Sequence, residues 1–195
     1  MEENLPRGSR QSRGAGSMLA SIQDARVIAI IGVMIAVVFV ATYFVKVPQP
    51  SGGYLNLSDI AIFFVSFIFG PIVGGIAGAV GPSISDAIGY ASYVPGTFVI
   101  HGLEGVVAGL IAWRGDIRRM IIATIAGCAI MIGGYFIYEW LILRVGVGIA
   151  GTDVIGNLWQ GLAGAIVSIP LTIAVRNAYP PITTWGYRRQ WQEEE

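Results

Sequence analysis

The chain has 195 residues, 54% of them hydrophobic and only 12% charged, whereas soluble domains carry about 25% charged residues; the composition is that of a small membrane protein with one domain. Its 12 basic and 12 acidic side chains cancel, which excludes nucleic-acid binding through a basic face. A single cysteine, Cys128, excludes a disulfide framework, and a single histidine, His101, excludes a multi-histidine metal centre.

Residues 1–24 are polar, carry Arg7, Arg10 and Arg13, and read as an N-terminal tail. The first apolar run covers residues 27–45 and is followed by Lys46-Val47-Pro48 rather than a small-x-small cleavage site, so it reads as a retained span. On this span Ala25, Ala29, Gly32 and Ala36 step by four, three and four along one face. Such a strip serves either as an internal packing seam or as a flat docking strip for another membrane subunit. The segment that follows, residues 46–58, contains Pro48, Pro50, Gly52 and Gly53, cannot continue a helix, and reads as an outer cap.

Residues 60–85 form one span or two, depending on whether the chain turns at Gly70-Pro71. Short cytoplasmic loops are enriched in Lys and Arg. Five spans leave five of the 12 basic residues inside; six spans leave ten inside, with only Lys46 and Arg144 outside. Six spans with both termini cytoplasmic are therefore expected. The second helix, residues 55–69, is then only about 22 Å long, short of the roughly 30 Å hydrocarbon core, and needs shelter from its neighbours. In the third helix Gly70, Gly74 and Gly78 recur every four residues and invite close backbone approach. Pro82 is expected to bend this helix just before Ser83, Ser85 and Asp86.

The remaining spans cover residues 97–113, 120–138 and 154–175, and a C-terminal tail is expected from residue 177, leaving residues 25–176 as the membrane domain. With this topology the polar residues gather on the outer side. Asp59 opens the second helix and Asp86 closes the third. His101 and Glu104 share a face of the fourth, with Glu104 about 10 Å deep. Tyr135 and Glu139 lie about 12 and 6 Å deep in the fifth, and Asn157 and Gln160 some 5 to 9 Å below the start of the sixth. With Asn56 from the capping loop, these are the candidate ligand-binding residues. Charged groups inside a bilayer cost several kcal/mol unless paired or hydrated, so a one-sided cluster predicts a polar cavity open to the outside and closed below. Blander roles exist: Asp59 helping a helix to start, Glu104 pairing only with His101, Asn157 and Gln160 joining helices.

No P-loop is present, since the only lysine is Lys46 in Val-Lys-Val-Pro; HExxH, GxSxG and acid pairs with metal-ligand spacing are also missing. The chain reads as a binding protein rather than an enzyme, with no cofactor and no metal site. A membrane-embedded enzyme using Glu104 and Glu139 as an acid/base pair, and a purely structural subunit, are the competing readings.

The segments Gly53-Tyr-Leu-Asn-Leu-Ser-Asp59, Phe69-Gly-Pro-Ile-Val-Gly-Gly-Ile-Ala-Gly78, Ser85-Asp86, Val99-Ile-His-Gly-Leu-Glu-Gly-Val-Val-Ala-Gly109, Gly134-Tyr-Phe-Ile-Tyr-Glu139 and Asn157-Leu-Trp-Gln160-Gly-Leu-Ala-Gly164 occur in this order. Together they resemble the substrate-binding S components of energy-coupling factor (ECF) vitamin transporters, riboflavin-type and related. The resemblance implies an all-α fold of six transmembrane helices with one water-soluble vitamin held near the outer face under the first loop: riboflavin, pyridoxine or a thiamine precursor. It also implies a complex with a transmembrane coupling subunit and cytosolic ATPases, in which the S component topples to carry its cargo inward. An Ala-x-x-x-Ala docking motif of the family matches Ala25 and Ala29, with Gly32 and Ala36 as a shifted candidate.

Overall fold

A computed structural model describes residues 24–185 and contains six membrane helices: α1 (Ala25–Tyr43), α2 (Ser58–Phe69), α3 (Pro71–Ala87), α4 (Val94–Ala112), α5 (Ile117–Ile142) and α6 (Val147–Ala178). Of the tails expected over residues 1–24 and 177–195, residues 1–23 and 186–195 lie outside the described residues. Four of the helices, α1, α4, α5 and α6, are long and apolar enough to cross a bilayer unaided. The chain does turn at Gly70. Its φ of +91° is open to glycine without strain, and Pro71 opens α3 at a position where its missing amide costs nothing.

The loop ends sort into two groups. At one end Gly70 packs beside Trp113, and the Arg176 guanidinium donates to the carbonyls of Gly115 (2.6 Å) and Phe67 (2.8 Å). At the other end Tyr138 donates to the Ser92 carbonyl, and Gln49 reaches the Asp153 carbonyl. This alternation is that of six crossings.

The short second helix is shorter than its sequence suggests, because Leu55 pairs with Val47 in a two-strand antiparallel hairpin, β1 (Val47–Pro48) and β2 (Tyr54–Leu55). Asn56 then caps the helix by accepting from the Ser58 amide at 2.7 Å. The resulting 12 residues span about 18 Å. They are sheltered as expected: α2 packs against α1, α3, α4 and α6 and has ten buried residues. Its Ile62, Val65 and Ile68 join Val27 and Val38 of α1 and Val73 of α3, while Phe63 and Phe67 meet Ala108, Met120 and Ile169 on its other side. Large apolar side chains such as Phe98, Leu110, Ile125, Ile155 and Ile166 face outward, which suits a lipid surround.

Several expected boundaries move. Helix α4 starts at Val94 rather than residue 97, and α6 starts at Val147 rather than residue 154 and runs to Ala178, passing through Pro170. Helix α3 is continuous through Pro82, and the Ser83 hydroxyl bonds back to the Ala79 carbonyl at 2.6 Å. The glycine seam is real. A Cβ on Gly78 would lie 2.6 Å from the His101 carbonyl oxygen, so α3 and α4 run backbone against backbone.

Candidate functional site

Between the hairpin loop and the adjoining halves of α3–α6 lies a small polar cavity. Seven of the expected residues line it: Asn56 at the end of the loop, Asp86 of α3, His101 of α4, Tyr135 and Glu139 of α5, and Asn157 and Gln160 of α6. Asp59 and Glu104 do not line it. Both are fully buried beneath the floor. Glu104 reaches the cavity only through His101, whose Nδ1 lies 2.6 Å from Glu104 Oε2. Asp59 Oδ1 accepts from Gln160 Nε2 at 2.8 Å. Glu104 and Glu139 therefore do not face one chamber as an acid/base pair.

Local backbone geometry positions the groups. The last turn of α5, Tyr138–Ile142, widens to i→i+5 hydrogen bonding, with the Leu143 amide on the Tyr138 carbonyl. Such single π turns gather at functional sites, and this one carries Glu139. Because α6 begins early, Asn157 and Gln160 lie about 15 and 20 Å along it, deeper than their spacing from residue 154 indicates.

The loop is bonded to the walls by polar groups. Asp86 accepts from Tyr54 of β2 and from Thr97 at 2.6 Å, and Thr97 in turn meets the Tyr135 hydroxyl at 2.9 Å. Glu139 Oε1 accepts from Ser51 at 3.1 Å and from Tyr93 at 3.5 Å. Gln49 donates to Asn157 at 3.4 Å, and Gln160 accepts from the Asn56 amide at 2.8 Å. Burial pushes the Tyr93 hydroxyl up to about 12, with the Glu139 and Asp153 carboxylates adding to the rise. Burial, reinforced by the bond to Asp86, likewise drives Tyr54 upward. Both phenols are therefore donors at neutral pH. Lys46 sits over the rings of Tyr43, Tyr54 and Tyr90, 4.5 to 5.0 Å from their centroids, which holds the loop's only cation at the rim.

Gln49, Thr42 and Thr97 in the wall, and Ser51 beside it, carried no signal in the sequence. They are ordinary polar residues in a loop or at a helix end. Tyr54 and Tyr93 also line the cavity, whereas Trp159 is 66% exposed on the surface. Glu139 Oε2 is buried without a hydrogen-bond partner among the described residues, and no Lys or Arg is in the wall. The cavity therefore offers acceptors to a ligand rich in donors.

Ala25, Ala29, Gly32 and Ala36 are all exposed, and a Cβ on Gly32 would meet nothing within 4 Å. The face of α1 that packs internally is the one bearing Val27, Val38 and Thr42. The small-residue strip is thus not an internal seam.

The family described as ECF-type riboflavin transporter, S component, matches residues 23–177. An uncharacterized protein of Pyrococcus woesei is 36% identical over 148 residues, covering 74% of this chain and 98% of that one. The thiamine precursor transporter HmpT of Lactococcus lactis subsp. cremoris (strain MG1363) is 29% identical over 126 residues, 64% of this chain and 69% of HmpT. In structure, FolT bound with folic acid superposes with a TM-score of 0.61 at 24% identity, covering 80% of this chain and 94% of FolT. The S component of a bacterial ECF transporter gives 0.60 at 21% identity, covering 78% and 96%. The two structures share this fold.

Proposed function

Since the chain belongs to the ECF-type riboflavin transporter S component family, a multi-pass membrane family whose members capture a vitamin and work with the ECF membrane and ATPase modules, we propose that its cavity takes a hydroxyl- or amine-bearing heterocycle: riboflavin, pyridoxine or a thiamine precursor. The observation that carries this reading is Glu139, a buried carboxylate in the cavity wall with one oxygen left without a partner. Acceptors fixed in a buried wall favour ligands that donate and disfavour anionic ones. The relative HmpT, by name a thiamine precursor transporter, supports the same class. The chain acts by binding alone, without chemistry of its own. Both termini are cytoplasmic, as the clustering of Arg114, Arg118, Arg119 and Arg176 at one end supports.

Purified protein titrated with these three compounds and folate, by calorimetry or tryptophan fluorescence, is expected to bind one of the three saturably at one per chain and to ignore folate. Silence across the panel would overturn the assignment.

The exposed strip of α1 is proposed to meet the coupling subunit. Gly32→Leu has room in the isolated fold, so vitamin binding should equal that of the parent while vitamin uptake by cells falls at least tenfold. Undiminished uptake would remove the strip from the docking surface.

A further inference from the structure

Beneath the cavity floor two carboxylates and an imidazole meet from different helices. Asp59 of α2 and His101 and Glu104 of α4 each offer a ligating atom, and these atoms all lie within 4.8 Å of one another. The three residues are 0 to 1% exposed. Their polar contacts are few: Asp59 Oδ1 takes bonds from Gln160 and Ser58, and Glu104 Oε2 meets His101 Nδ1. Asp59 Oδ2 and Glu104 Oε1, both buried, have no hydrogen-bond partner among the described residues. A buried, unpaired carboxylate is costly in a bilayer, and two share this spot with no side-chain hydrogen bond from Lys or Arg to either among the described residues.

We infer that Asp59, His101 and Glu104 form a binding site for a first-row divalent metal ion, of which Zn²⁺ is the natural probe. A dication neutralises the two carboxylates, and a mixed imidazole and carboxylate set suits such an ion better than Na⁺, Ca²⁺ or Mg²⁺. Metal bonds of about 2.0–2.2 Å place ligand atoms up to about 4 Å apart, so the spacing needs only small side-chain rotations. On binding, the proton shared by His101 Nδ1 and Glu104 Oε2 leaves to solvent and both lone pairs turn to the ion. Because His101 also lines the cavity, the ion would fix one wall of the vitamin site from behind. The site stands whichever vitamin is bound.

The chain contains one histidine and one cysteine, so the test is clean on tag-free, full-length protein in detergent. After equilibration with ZnCl₂ and removal of free metal, elemental analysis should find about one Zn²⁺ per chain. Asp59→Asn and Glu104→Gln should each weaken Zn²⁺ binding at least tenfold, and Cys128→Ser should not. Co²⁺ should give visible d–d absorption in the parent protein, a readout that needs no variant to fold. Failure of the parent to retain Zn²⁺, equal retention by both carboxylate variants, or a Co²⁺ spectrum like that of the free ion would each overturn the site. Vitamin titration of the metal-free protein, run in parallel, separates this outcome from failure of the transport reading.

Discussion

Glu139→Gln is expected to weaken vitamin binding by about 10- to 100-fold, the loss that follows from removing a charged hydrogen-bond partner worth about 1.5–3 kcal/mol. The glutamine keeps the size of the side chain, and its carbonyl still accepts from Ser51 and Tyr93, as Glu139 Oε1 does now. The loop therefore stays in place. What changes is the second oxygen, buried without a partner, which becomes an amide donor facing a ligand that also donates. Calorimetry on purified protein gives the answer directly. Trp159→Phe, on the exposed surface, serves as the control and should bind as the parent does. An unchanged affinity in Glu139→Gln, with an unchanged melting midpoint, would take Glu139 out of the binding site.

A large stability effect is expected at Gly109. A Cβ there would lie 2.5 Å from the backbone nitrogen and Cα of Pro71, and neither can yield as a flexible side chain would. Gly109→Val must push α4 away from the turn that starts α3. Overpacking of this kind costs about 1–3 kcal/mol or more. The same shift would propagate along a seam in which Gly105 meets the Gly74 backbone and Gly78 meets the His101 carbonyl. Since α3 and α4 carry Asp86, Thr97 and His101, vitamin affinity should fall together with the melting midpoint in detergent. Gly32→Val, on the open face of α1, should leave the stability within about 0.5 kcal/mol of the parent and the midpoint little changed. Equal midpoints for the two variants would show that α3 and α4 do not depend on that contact.

The membrane character, the six crossings and the gathering of polar residues at one end of the bundle were legible in the residues themselves. Hydropathy is summed along the chain, and the bias of arginines to one set of loops needs no tertiary contact to act. The spacing of Gly70, Gly74 and Gly78 likewise announced a close helix seam. Residues three or four apart share a face in any helix, so His101 with Glu104 and Tyr135 with Glu139 could be paired in advance. Which of those faces opens on the cavity depends on how each helix is rotated, and rotation is set by partners distant in sequence. Glu104 turns beneath the floor because the glycines of α3 draw α4 close. Glu139 enters the wall because a π turn rotates the end of α5. Ser51 and Gln49 become site residues only once the hairpin folds over the opening. Asp59 joins His101 and Glu104 because the short α2 is enclosed by its neighbours. The exposure of the Ala25 and Gly32 strip had the same origin: two faces of α1 were small or apolar enough to pack, and the contact with α3 chose the one bearing Val27 and Val38. Local sequence determined at which end of its helix each polar group lies; helix packing decided what it faces.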